Sequence, residues 1–159
     1  MIEPSSSKLA AYAAVMPEAL TVLRLPGPVA ETEFRRARLV EQLAARCPAV
    51  ESVAVRFVHL VHLGRALSTD ERALLNALLS YGDALGQSPG GQEITVVPRI
   101  GTISPWASKA TDIARICGLP VQRLERGRVY SVGAGERLDR AALQGLATLL
   151  HDRMMETAI

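Results

Sequence analysis

Aromatic side chains are scarce in this sequence: three Tyr, two Phe and one Trp make up 4% of 159 residues. The core therefore has to come from Leu, Val, Ala and Ile, and few rings remain for stacking on bases. With a net charge of only +2, that argues against a nucleic-acid partner. Lysine is rarer still, occurring only at Lys8 and Lys109, so basic character is carried by arginine. The planar guanidinium suits fixed contacts with carboxylate or phosphate. Cys47 and Cys117 are the only cysteines. Neither has a neighbouring Cys or His at ligand spacing, so no metal site is expected. Both read as small core residues at the C-terminal ends of helices, where the helix dipole disfavours a thiolate. No run approaches the roughly 18 apolar residues of a membrane span, and the N-terminus lacks the charged and apolar regions of a secretory signal. No membrane partner and a cytoplasmic location are the expectations. A glycine-rich phosphate loop is missing too: Gly90-Gly91 sits in a turn-like stretch.

What is present is an apolar fraction of 48% with 21% charged residues, as in a globular domain of ordinary size. Residues 1–19 read as an N-terminal arm, with a short helix over Lys8 to Val15. Leu20 to Leu25 reads as a strand and Pro26-Gly27-Pro28 as a turn. Glu31 to Arg46 has helical periodicity in Phe34, Ala37, Val40, Leu43 and Ala44. Its Arg35, Arg36 and Arg38 are interleaved with Glu33 and Glu41, which makes a solvated face rather than a phosphate patch. Val50 to Leu63 is a long strand with Val53, Val55, Phe57, His59, Val61 and Leu63 on one side, and Arg56 and His62 on the other. The two histidines point apart and cannot share a metal, and no carboxylate or nucleophile nearby in sequence suggests catalysis by either. Ser68-Thr69-Asp70-Glu71 is a capping box before a helix bearing Leu74, Leu75, Leu78 and Leu79. Tyr81 to Gln92, rich in Gly and Pro, reads as a mobile linker.

The pattern then repeats. Glu93 to Val97 is a strand, Trp106 to Cys117 a helix, and Val121 to Val132 a long strand with Gly127 as an expected bulge. A helix capped by Asp139 follows, bearing Leu143, Leu146, Ala147 and Leu150. Leu67, Leu75, Leu78 and Leu79 align at one constant offset with Leu138, Leu146, Leu149 and Leu150, and a helix-end Cys precedes the long strand in both halves. One half is too small to bury a core alone; two complete a sandwich. The expected fold is α+β, a two-layer sandwich of two pseudo-symmetric β-α-β-α halves (20–80 and 93–150 within a domain of 20–150), with helices on one face of the strands. His151 to Ile159 is expected to continue as helix or to fray into a linker.

Between strand and helix of the second half lies Pro98-Arg-Ile-Gly-Thr-Ile-Ser-Pro-Trp-Ala-Ser-Lys-Ala-Thr-Asp112. Ser104 before Pro105 marks a helix start. Backbone donors there, with Thr102, Ser104, Arg99 and Lys109, offer the makings of an anion site without naming a ligand. This stretch, together with Cys117-Gly118-Leu119, Arg123 to Gly127 and His151 to Thr157, resembles the N-terminal region of large single-chain phosphoribosylformylglycinamidine synthases. The likeness spans nearly everything after Leu20. Ala107 departs from it, since a second Ser is common there, so no essential hydroxyl is assigned to that position.

The resemblance implies a domain similar to a fused pair of PurS subunits, in agreement with the repeat. It implies a parent ligase of purine biosynthesis that uses ATP, magnesium and glutamine. Partners would be synthetase and glutaminase domains of the same parent chain, which are not found in this sequence; residues 151–159 would begin the linker to them. No catalytic residue, metal or cofactor is expected in the chain itself. Arg99, Thr102, Ser104, Trp106, Ser108 and Lys109 would form an interface or substrate-proximal loop. For Trp106, simple packing under the loop is an equally good reading. Two further expectations remain open: self-association through an exposed docking patch, and a small self-contained enzyme binding a phosphate ester on the 99–109 loop.

Overall fold

A computed structural model describes residues 21–83, 90–99 and 101–159. The helix read over Lys8 to Val15 and half of the 81–92 linker, residues 84–89, lie outside them. Five strands and four helices follow in the order β1 (Thr21–Val29), α1 (Glu33–Arg46), β2 (Val50–Leu63), α2 (Thr69–Leu78), β3 (Gln92–Pro98), α3 (Pro105–Ile116), β4 (Val121–Ala134), α4 (Arg140–Leu150) and β5 (Glu156–Ala158). The strands form one antiparallel sheet in the order β1-β2-β4-β3-β5.

The fold is the expected α+β two-layer sandwich, and its symmetry is readable in the register. The offset that carries Val50 onto Val121, the first residues of β2 and β4, also carries Leu63 onto Ala134, their last. It carries Ser68 onto Asp139, the caps of α2 and α4. The pair Val53↔Val132 maps onto Val61↔Leu124, and Val55↔Tyr130 onto His59↔Arg126. Phe57↔Arg128 maps onto itself. The pseudo-twofold axis therefore passes through the middle of the β2–β4 ladder.

Each helix layer mixes the halves. Leu43 of α1 and Leu146 and Leu150 of α4 cover Val53, Val55, Tyr130 and Val132. Leu75 and Leu79 at the end of α2, with Ala114 of α3, cover Val61, Val121 and Leu124. Val53, Val55 and Val61 share one face of β2, so both clusters lie on the same side of the sheet. Neither half has a closed core without the other.

Several local expectations are corrected. Pro26-Gly27-Pro28 is not a turn: β1 runs through it, with an irregularity in pairing between Pro26 and Val29. Prolines are tolerated there because β1 ends the sheet among the described strands. A Cβ on Gly27 would come within 2.9 Å of Phe57 and His59, so glycine allows the close crossing. Gly127 is not a bulge; it sits in unbroken register opposite Val58. A Cβ there would lie 2.8 Å from the Val96 carbonyl oxygen, so its role is close approach of backbones. Phe34, expected on the buried face of α1, is 71% exposed, and Ala37 is exposed as well. The helix docks through Leu39, Val40 and Leu43 in its later turns. Cys47 is half-buried, but Cys117 is exposed, because it forms the C-cap where Gly118 (φ 82°) turns the chain away. Residues 151–159 neither extend the helix nor fray. They turn at Asp152 and add β5 to the edge of β3, where main-chain bonds link Thr95 with Ile159, and the Arg99 N–H donates to the Met155 carbonyl. The unpaired edge of β3 supplied the partner that local sequence did not announce.

Candidate functional site

The stretch after β3 is fastened to β4 from below. The Ser104 hydroxyl accepts from the Ala107 N–H at 3.0 Å, which makes it the N-cap of α3, and donates to Glu125 at 2.9 Å. Glu125 is 1% exposed. It also accepts from the Arg126 N–H and from Arg123, whose guanidinium reaches the Thr102 carbonyl at 2.6 Å. Thr102 closes a tight turn back to the Arg99 carbonyl. Glu125 thus ties cap, corner and strand together. What the corner offers outward is Arg99, Thr102, Ile103 (65% exposed) and, one turn into the helix, Ser108.

Trp106 and Lys109 lie elsewhere, on the side of α3 that faces α2. Between these helices runs a pocket of about 390 Å³ whose walls include Leu75 and Leu78 of α2, and Trp106, Lys109, Ala110 and Ile113 of α3, with Tyr81, Leu124 and Arg126 also lining it. The predicted residues are therefore split. Arg99, Thr102 and Ser108 belong to the outer corner, Ser104 is committed to capping and to Glu125, and Trp106 and Lys109 line the groove.

Three residues outside the predicted loop complete this region. His59, with no exposure, stacks on Trp106 at 5.8 Å between ring centroids. Its Nε2 is 2.7 Å from the Tyr81 hydroxyl. The Arg126 guanidinium lies over the Phe57 ring at 4.2 Å and over Trp106 at 4.7 Å. It donates to the Tyr81 hydroxyl at 3.4 Å. Burial first, and the Arg126 charge second, push the His59 pKa down from 6.5 to about 4. Its ring is neutral at pH 7 and acts as a flat spacer between Tyr81 and Trp106. Tyr81 reads as linker in the sequence because glycines and prolines crowd the stretch that it opens. His59 is legible only as one of the alternating positions of Val50–Leu63, and Arg126 only as part of the Arg123 to Gly127 stretch; their pairing is set by register.

Fold and site define a class: a duplicated α+β domain with an anchored, outward-facing corner and a cation-bearing groove beside it. The sequence model of the family described as formylglycinamide ribonucleotide amidotransferase, N-terminal, matches residues 56–159. The chain belongs to this family. The match takes in the corner, the groove helices and β5, while β1 and α1 precede it. Among the described residues, no helix is long and apolar enough to cross a membrane.

Proposed function

We propose that this chain is the docking and site-completing domain of phosphoribosylformylglycinamidine synthase. That ligase makes formylglycinamidine ribonucleotide from formylglycinamide ribonucleotide, ATP and glutamine in purine biosynthesis. ATP and magnesium belong to the synthetase domain, the glutaminase supplies ammonia, and the cell compartment is the cytoplasm. The present chain contributes a preformed surface. The observation that carries this reading is the corner at residues 101–108, braced by a buried carboxylate yet exposing Ile103 beside Arg99. Rigid backbone presenting an apolar and a cationic anchor is what an interface centre requires, because little ordering entropy is lost on docking.

The phosphate-ester reading of the same loop fares worse. The Ser104 hydroxyl and the Ala107 N–H are already joined, and the Glu125 carboxylate lies directly beneath them. A second anion would meet spent donors and like charge.

The test is the double substitution Arg99→Ala with Ile103→Ala in the intact ligase. Loosened docking with lower ligase turnover, while free glutaminase activity is less affected, is the expected result. Equal loss of both activities with an unfolded N-terminal domain would assign the corner a packing role instead. Tight binding of formylglycinamide ribonucleotide or ATP by this chain alone would favour a self-contained enzyme.

A further inference from the structure

The groove between α2 and α3 carries more than the corner's docking role requires. At the α1/α4 end of the sheet, the helix-side positions Val55 and Tyr130 face each other across β2 and β4. Their symmetry mates at the other end are Arg126 and His59. Where one half has valine, the other has arginine. The guanidinium is half-buried there, and two ring faces and the Tyr81 hydroxyl offset its lost hydration. Among the described residues, no carboxylate lies within ion-pair distance of it. Arg128, two residues along the same face, does have such a partner in Glu156, at 2.5 Å. Lys109, on the groove's edge, likewise has no carboxylate within that distance among the described residues.

The volume is explained by the helices. α1 fills its end with Leu39, Val40 and Leu43. The inward face of α3 is Ala107, Ala110, Thr111 and Ala114. Small residues leave space beside α2, and about 390 Å³ falls in the range of sites for small organic ligands. We propose that this groove binds a small carboxylate with an apolar body. The carboxylate meets the edge of the Arg126 guanidinium, whose plane the rings fix in place, with Lys109 adding charge from the rim. The apolar body lies between Leu75 and Leu78 on one side and Ala110 and Ile113 on the other. Carboxylate fits better than phosphate: the walls are mostly apolar, and the Ala107 N–H at the start of α3 already donates to Ser104. This assignment stands independently of the docking role.

Trp106 is the sole tryptophan, so its emission reports on the groove directly. The chain is titrated with 4-phenylbutyrate, with the uncharged 4-phenylbutyramide and with inorganic phosphate. The acid should give a saturable change and the amide should bind about tenfold more weakly, the usual weight of a charge-assisted hydrogen bond. Phosphate should compete poorly. Arg126→Met should remove the preference for acid over amide. Ala110→Leu, which fills the groove, should abolish the response to both. Lys109→Met alters an exposed side chain and leaves folding undisturbed; it should weaken the acid selectively, by about threefold, as a screened charge would. If Arg126→Met fails to fold, the acid–amide comparison and Lys109→Met decide the matter. Equal binding of acid and amide, no saturation, undiminished binding in Ala110→Leu, or phosphate competing as well as the acid would each overturn the assignment.

Discussion

The two ends of the sheet are built on one plan and finished differently. At the α1/α4 end, leucines from both helices meet over Val53, Val55, Tyr130 and Val132, and the layer is closed. At the α2/α3 end, the same strands present His59, Arg126 and Leu124, and the helix above them carries alanines. A pseudo-twofold repeat thus conserves backbone and register while letting side chains diverge. Stability can be concentrated at one end and binding at the other, because neither half owns a whole end. Each end takes one helix from each half, so a change in one half reshapes only half of each layer.

Paired truncations test that contrast most sharply. Leu43 and Leu75 are both fully buried, one at each end. Leu43→Ala should leave a closed cavity and lower the free energy of unfolding by about 3–5 kcal/mol. Leu75→Ala borders an existing groove and should cost about 2–3 kcal/mol, the low end of such substitutions. Urea denaturation of both variants measures the gap; equal costs would mean that the open end is packed as tightly as the closed one.

A pH titration sharpens it next. The folded pKa of His59 is about 4 against an ordinary 6.5. The unfolded chain binds the proton more readily, so this contribution is intact above pH 6.5 and is lost as pH falls toward 4. It amounts to about 3 kcal/mol in all. His62 on the opposite face is also lowered, by burial and then by Arg123, and adds a slope of the same sign. His59→Gln should remove the larger part of the acid loss between those limits and leave the remainder. Thermal melts of the variant from pH 7 to 4 that track the wild type would show that His59 is not held neutral by this environment.

The smallest expected effect concerns the helix starts, where the ends should agree. Ser68 caps α2 through Glu71 N–H, and its mate Asp139 caps α4 through Ala142 N–H at 2.8 Å. Ser68→Ala and Asp139→Ala should each cost about 1 kcal/mol. Urea midpoints that differ widely would show that the repeat is less equivalent at its caps than its register implies.

Much of this was legible beforehand where local chemistry is sufficient. The capping box at Ser68, the Ser104-Pro105 start and the alternation in Val50–Leu63 each rest on neighbours within a few residues. The duplication was visible because matching leucines recur at one offset. Failures fell where a distant partner decides the outcome. Pro26 to Pro28 stays in a strand because β2 lies beside it, Gly127 is close-packed by Val96, and residues 156–158 become a strand because β3 offers an edge. The site was half visible for the same reason: Trp106 and Lys109 belong to a conspicuous motif, whereas Tyr81, His59 and Arg126 come from three other segments.

The sequence by itself determined the duplicated β-α-β-α plan, the capped helix starts at Ser68, Ser104 and Asp139, and the family, because periodicity, caps and a long motif are local properties of the chain. Only the tertiary structure decided that Arg126 stands where symmetry has Val55, between two rings and beside a groove. Cross-strand register and the thickness of facing helices fix that arrangement, and both depend on contacts between residues far apart in the chain.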